Sequence, residues 1–222
     1  MIDFKNIEGA IFDLDGTLVD SMKLWRRMFY DYLNARNIEA ESDIDEKTYP
    51  MTIIQAADYL NETYSLCLTR QEVIDGCNDI MAENYRHVIQ LKPFVREFLD
   101  ILYAKNIPMY IATATDRRLV QIALESLDLG KYFAGFVTST EAGCAKAESA
   151  KIFDMARERM GTSFENTFIF EDSYFAIKQA KSEGYHIAAL YDEGAEGTID
   201  KIKEISDWYS ETFEFYVNLI FF

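Results

Sequence analysis

Asp13 and Asp15 stand two residues apart near the end of an apolar run, AIFDLDGTLVD at residues 10–20, just where Gly16 lets the chain turn. On a strand, alternate side chains leave the same face. Both carboxylates are therefore expected on one side, each raising the other's pKa unless a cation intervenes. A hard ion with a preference for oxygen, such as Mg2+, meets that need. Two plainer readings compete. One is a strand that simply runs into an acidic turn. The other is a calcium loop, which needs a further oxygen ligand two residues after Asp15, then a glycine, and later a bidentate glutamate; Thr17 and Leu18 stand there instead, which excludes it.

Two more polar clusters close apolar runs. MYIAT ends on Thr113 and is followed by Ala114 and Thr115, while TFIF is followed by Glu171, Asp172 and Ser173. Singly, Thr113 could cap a helix beginning near Arg117, and Glu171 with Asp172 could be solvated loop acids. In open parallel sheets, however, ligands bind beyond the carboxyl ends of the strands. Three polar clusters at three such ends describe one site.

The elements that must position these residues alternate. Residues 8–14, 108–114, 134–138, 167–171 and 186–191 read as strands, and 94–105, 117–128, 147–160 and 174–183 as helices, with Pro93 and Pro108 at boundaries. That alternation predicts an α/β fold with a parallel sheet. More than ninety residues separate the first two strands, far more than one crossover needs. Within them, 22–36, 52–64 and 70–89 have apolar residues at helical spacing, so an all-helical cap is expected over residues 19–89. The sheet domain then comprises 1–18 and 90–222, with linkers near 17–21 and 87–92.

The 222 residues are 49% apolar, enough for a sizeable core, and carry a formal net charge of −16. Such a field repels nucleic acid and anionic lipid, so neither is expected as a partner. It also repels phosphate esters, which must be drawn in by local positive charge. Cys67, Cys77 and Cys144 show no metal-ligand spacing and suit reduced, core-filling thiols in a cytoplasm. The opening MIDFKNIEG carries an acid and no long apolar segment, so it is not expected to act as a signal peptide, and no apolar stretch approaches the roughly 20 residues of a membrane span. The apolar YVNLIFF at the end is expected to pack on the core. Nothing in the sequence fixes an oligomeric state.

About residues 7–207 resemble the haloacid dehalogenase superfamily of aspartate-nucleophile phosphotransferases, in the branch with a helical cap after strand one that includes β-phosphoglucomutase and many phosphatases. The matching motifs are FDLDGT, IAT ending at Thr113, and IFEDS with Glu171 and Asp172. The motif lysine is best matched by Lys146 in GCAKAESAKIF, although Ala147 replaces the usual proline; Lys151 is its rival, and a solvated helix face is the plain alternative for either.

The resemblance implies a three-layer Rossmann-like core and a small phosphorylated metabolite as substrate. It implies Asp13 as nucleophile, forming an aspartyl-phosphate, and Asp15 as acid and base with its carbonyl on Mg2+. Asp13 and Asp172 would hold the ion, with Glu171 as ligand or supporting partner, while Thr113, Ala114 and Lys146 meet the phosphoryl group. An aspartate at position 15 separates the chain from the dehalogenase and phosphonatase branches. The main alternative is a β-phosphoglucomutase-like mutase, but the mutase's cap histidine, twelve positions after the nucleophile, is here Trp25, which favours hydrolysis. Trp25 is either an ordinary cap-core aromatic or a wall stacking on substrate. Arg26, Thr48, Tyr49 and Met51 are further candidate cap contacts, in a cap expected to open and close. A third reading is a binding module that holds metal and phosphate without turnover. His87 and His186 receive no role.

Overall fold

The computed structural model describes residues 4–48 and 51–221, and the chain divides into two compact units, Met1–Asp20 with Gln90–Phe222, and Ser21–Ile89. Tyr49 lies outside the described residues.

The first unit is built on six parallel strands: β1 (Gly9–Phe12), β2 (Met109–Thr113), β3 (Phe133–Thr138), β4 (Thr167–Glu171), β5 (His186–Leu190) and β6 (Trp208–Ser210). Their spatial order is β3-β2-β1-β4-β5-β6, so the direction of winding reverses between β1 and β4. Alternation along the strands supplies two cores. Ile11 lies opposite Ile169 and faces one side with Ala112, Val137 and Ile187, covered by the helices Lys151–Met160 and Tyr174–Ser182. Phe12 lies opposite Phe170 and stacks on it with centroids 4.5 Å apart. Phe98 from the helix Val95–Ala104, Phe213, and Tyr216 from the helix Glu214–Phe221 close over that aromatic side. Helices on both faces give the expected three-layer α/β architecture.

The five expected strands and the four helices between them are present, with three differences. β1 stops at Phe12, so Asp13 and Asp15 lie beyond it. The helix expected from residue 147 begins at Lys151, leaving Lys146 in a loop after the short helix Ser139–Ala142. Four strands or α-helices of this unit were not expected: the helix Ser139–Ala142, β6, the helix Ile199–Ile205 and the helix Glu214–Phe221. β6 is a half-buried three-residue edge strand, too short for period-2 alternation to register. The final helix does pack inward: Tyr216 is fully buried and its hydroxyl donates to the Ala189 carbonyl at 2.7 Å.

The second unit contains only helices among its described residues: Met22–Arg26, Met28–Asn34, Ile44–Thr48, Ile53–Thr63 and Arg70–His87. Thr52 with Gln55, and Thr69 with Glu72, form reciprocal capping boxes that fix where the two longest begin. The single helix expected over 22–36 is interrupted at Arg27. A one-residue break barely shifts the helical phase, so the apolar period runs through it unmarked. Tyr32, Leu33, Leu60, Val73, Cys77 and Met81 form this unit's core. Cys77 thus fills a core and half-buried Cys144 packs against the sheet's core, but Cys67 is exposed, so the expectation of core-filling thiols fails there. Among the described residues no helix is long and apolar enough to cross a membrane.

Candidate active site

The carboxyl ends of β1 and β4, at the point where the winding reverses, hold a buried cluster of acids. Asp13 follows β1 directly, and its backbone N–H donates to the Phe170 carbonyl at 2.9 Å, extending the ladder by one step. Glu171 ends β4 and Asp172 follows it. Ligand atoms from Asp13, Glu171 and Asp172 all lie within 4.8 Å of one another, and all three residues are buried. The solvated-loop reading of Glu171 and Asp172 is therefore overturned.

Lys146 reaches into this cluster. Its Nζ is 2.5 Å from Asp13 Oδ1 and 2.7 Å from Glu171 Oε2, with the side chain 9% exposed. Lys151 does something else: its Nζ donates to the Ala142 carbonyl at 2.7 Å, closing the end of the short helix. Burial works against the Lys146 ammonium, but the Asp13 and Glu171 carboxylates outweigh it and hold its pKa above the usual lysine range. Three carboxylates facing one ammonium leave an excess of two negative charges when all are ionised. Hard oxygen donors with that excess fit a divalent cation.

Asp13 is acted on most strongly by charges at the end of β4 and by Lys146. Burial, then repulsion from Glu171, raises its pKa well above the usual range, with Lys146 opposing and Asp172 adding to the rise. The Asp15 carboxylate has a partner of its own: its Oδ2 accepts from Thr115 Oγ1 at 2.5 Å. The reason is the early end of β1. Past Phe12 the chain enters a turn in which Leu18 and Val19 N–H groups both donate to the Leu14 carbonyl, so strand alternation no longer governs where Asp15 points.

That turn needs its glycine twice. Gly16 has φ +86°, and a Cβ there would stand 2.5 Å from Asp172 Oδ2. The next residue, Thr17, donates its hydroxyl to Asp172 Oδ1 at 2.7 Å. Burial and then Glu171 push the Asp172 pKa up to about 7, with the Thr17 bond opposing. Asp192, just past β5, raises it further, and Lys92 lowers it. Lys92 and Asp192 form a buried pair of their own, Nζ to Oδ2 at 2.7 Å, and the Lys92 N–H donates to Leu18 in the same turn.

Thr113 is buried at the end of β2, and its Oγ1 accepts the Thr115 N–H at 3.1 Å. It does not cap the following helix; the Asp116 carboxylate does, by accepting the Arg118 N–H at 2.8 Å. Ala114 is exposed beside it. Trp25 lies half-buried on the helix Met22–Arg26 of the second unit, where Arg26 is exposed, Met51 half-buried, and Thr48 donates its hydroxyl to the Ile44 carbonyl at 2.8 Å. His87 is exposed near Glu83, and His186 opens β5 against Phe168. Thr17, Thr115, Lys92 and Asp192 carry contacts of the site that motif spacing did not assign. Thr17 sits inside the FDLDGT motif, and Thr115 two residues past the end of IAT. Nothing local marks the other pair.

A pH dependence follows from the buried acids. Between the usual 3.8 and about 7, folded Asp172 keeps a proton that the unfolded chain has released. Through this group stability falls as pH rises across that window, and Asp13 adds the same sign. A divalent cation binds the ionised acids, so its stabilising effect grows with pH. Thermal unfolding with EDTA and with excess Mg2+, at steps between about pH 4 and pH 8, is expected to show a Tm gap that widens with pH. A gap of constant size contradicts a metal-holding role for these acids.

Residues 10–190 match the family model described as haloacid dehalogenase-like hydrolase. The chain is 25% identical over 178 residues to a phosphorylated carbohydrates phosphatase of Thermotoga maritima, covering 80% of this chain and 82% of that protein. It is 28% identical over 211 residues to the phosphoglycolate phosphatase of Escherichia coli K12, covering 83% and 81%. Among solved structures, a Thermotoga maritima chain provisionally described as a β-phosphoglucomutase superposes with a TM-score of 0.78 at 21% identity, covering 96% of this chain and 97% of that one.

Proposed function

This chain belongs to the haloacid dehalogenase-like hydrolases, and from that we propose that it is a phosphatase that hydrolyses small phosphomonoesters through a phosphorylated Asp13. The observation that carries the reading is the placement of Asp13 next to Lys146, Glu171 and Asp172 where the sheet's winding reverses. The names of the relatives direct attention to phosphorylated carbohydrates and phosphoglycolate as the first substrates to try.

Asp13, Glu171 and Asp172, together with the backbone carbonyl of Asp15, would hold Mg2+. When bound, the ion neutralises charge on the transferring phosphoryl group. The remaining chemistry belongs to the side chains. Lys146 has its ammonium beside Asp13, within reach of an oxygen on a phosphoryl group bonded to Asp13. An Asp13 oxygen attacks phosphorus as the ester P–O bond breaks, and Asp15 in its acid form gives its proton to the departing oxygen. Asp15, now a carboxylate, takes a proton from the water that attacks the phosphorylated Asp13. The P–O bond to Asp13 breaks, phosphate leaves, and both acids return to their starting state. Because phosphoryl transfer is mainly positioning and charge stabilisation, these groups suffice.

Release of inorganic phosphate from a panel of sugar phosphates, phosphoglycolate and p-nitrophenyl phosphate tests the reading. EDTA is expected to bring release to background and excess Mg2+ to restore it. Full activity in chelator contradicts the metal assignment, and release from no member of the panel favours a binding module. Conversion of glucose 1-phosphate to glucose 6-phosphate, given a trace of bisphosphate, would favour the mutase.

A further inference from the structure

We propose that Thr115 is a positioning residue for Asp15, holding its carboxyl group in the orientation from which it exchanges a proton with the leaving oxygen. This rests on the phosphatase reading above. The Thr115 hydroxyl donates to Asp15 Oδ2 at 2.5 Å, across 100 positions of sequence. A threonine hydroxyl has a single proton, so this bond commits it to Asp15.

Thr115 is itself held in place. It is 7% exposed, and its backbone N–H donates to Thr113 Oγ1 at 3.1 Å. The next residue, Asp116, caps the helix Arg117–Ser126. The loop after β2 therefore has little freedom, and it passes that rigidity to a carboxylate that lies in a turn rather than on a strand. An acid whose proton transfer depends on geometry gains from such a support. The arrangement also ties Asp15 to the end of β2 and the loop after it, which carry Thr113 and Ala114, so the groups proposed to meet phosphate and the group proposed to protonate the leaving oxygen share one anchor.

The balance of the step assigns the readout. The Asp15 proton travels to the oxygen that leaves phosphorus as Asp13 bonds to it, so losing Asp15's orientation harms esters whose leaving group needs that proton. It harms p-nitrophenyl phosphate less, because its phenolate leaves without one. The experiment measures kcat/KM for phenyl phosphate and p-nitrophenyl phosphate with the full chain in Mg2+, for the unaltered enzyme, Thr115→Val, Thr115→Ala, Thr115→Ser and Asp15→Asn. The Val and Ala variants are expected to lose about tenfold more on phenyl phosphate than on p-nitrophenyl phosphate, and Ser to stay within about threefold of the unaltered enzyme on both. Equal losses on the two esters, or a Ser variant that behaves like Ala, overturn the proposal. Asp15→Asn separates the levels of failure. A steep leaving-group dependence there with a flat one at Thr115 removes only this inference, whereas a flat dependence at Asp15 removes the acid role itself. Should Thr115→Val fail to fold by circular dichroism, the Ala and Ser pair decides the question.

Discussion

Asp13→Asn is expected to lower turnover of p-nitrophenyl phosphate by about four orders of magnitude or more while the protein still folds. The amide matches the carboxylate in shape, so packing at the end of β1 is kept. It is a poor nucleophile, and the group next to the Lys146 ammonium becomes neutral. Burial and Glu171 already raise the pKa of Asp13. Removing its charge therefore relieves repulsion, and the variant is expected to melt no lower than the unaltered chain in EDTA. The two readouts, steady-state phosphate release and thermal unfolding by circular dichroism, are expected to move in different directions. Retained turnover takes Asp13 out of the nucleophile's role. A collapsed fold would instead mark it as structural.

Lys146→Met is expected to cost both activity and stability. The ammonium is nine-tenths buried and holds Asp13 and Glu171 together at 2.5 and 2.7 Å. Removing one partner from a buried charge cluster costs about 3–5 kcal/mol, an upper figure here because the orphaned acids can take up protons. Loss of a preorganised cation beside a developing phosphoryl charge is expected to lower kcat/KM by about a thousandfold. Lys151→Met is the matched comparison. That side chain donates to the Ala142 carbonyl and does not reach the acids, so about 1 kcal/mol of stability should go and phosphate release should continue. If the two lysines exchange these outcomes, the charge at Asp13 is not what catalysis uses.

The buried pair of Lys92 and Asp192 links the same turn to the end of β5. It was invisible beforehand because one member stands before Pro93 and the other in an acidic run, LYDEGAE, neither of which has a local pattern that requires a partner. Thr17 and Thr115 differ from it. Thr17 lies within FDLDGT and Thr115 just past IAT, yet only the folded chain shows that one holds Asp172 and the other Asp15, over separations of 155 and 100 residues. The choice between Lys146 and Lys151 was of the same kind. Five residues apart beside one helix start, they differ in which reaches 133 positions back to Asp13.

Some of the molecule was decided by neighbours along the chain. Apolar runs of strand length alternating with helical periods determined an α/β fold with a parallel sheet, and strand ends selected Asp13, Asp15, Thr113, Glu171 and Asp172 as the residues to watch. Those features depend on spacings of a few residues, which composition and periodicity encode directly. The tertiary structure alone decided that β1 lies between β2 and β4, that Glu171 and Asp172 rank among the strongest charges acting on Asp13, and that Lys146 rather than Lys151 supplies the neutralising charge. Strand order and the ends of turns bring distant side chains within bonding range, and a hydrophobic pattern repeated every two or every 3.6 residues carries no record of which distant segment will lie alongside.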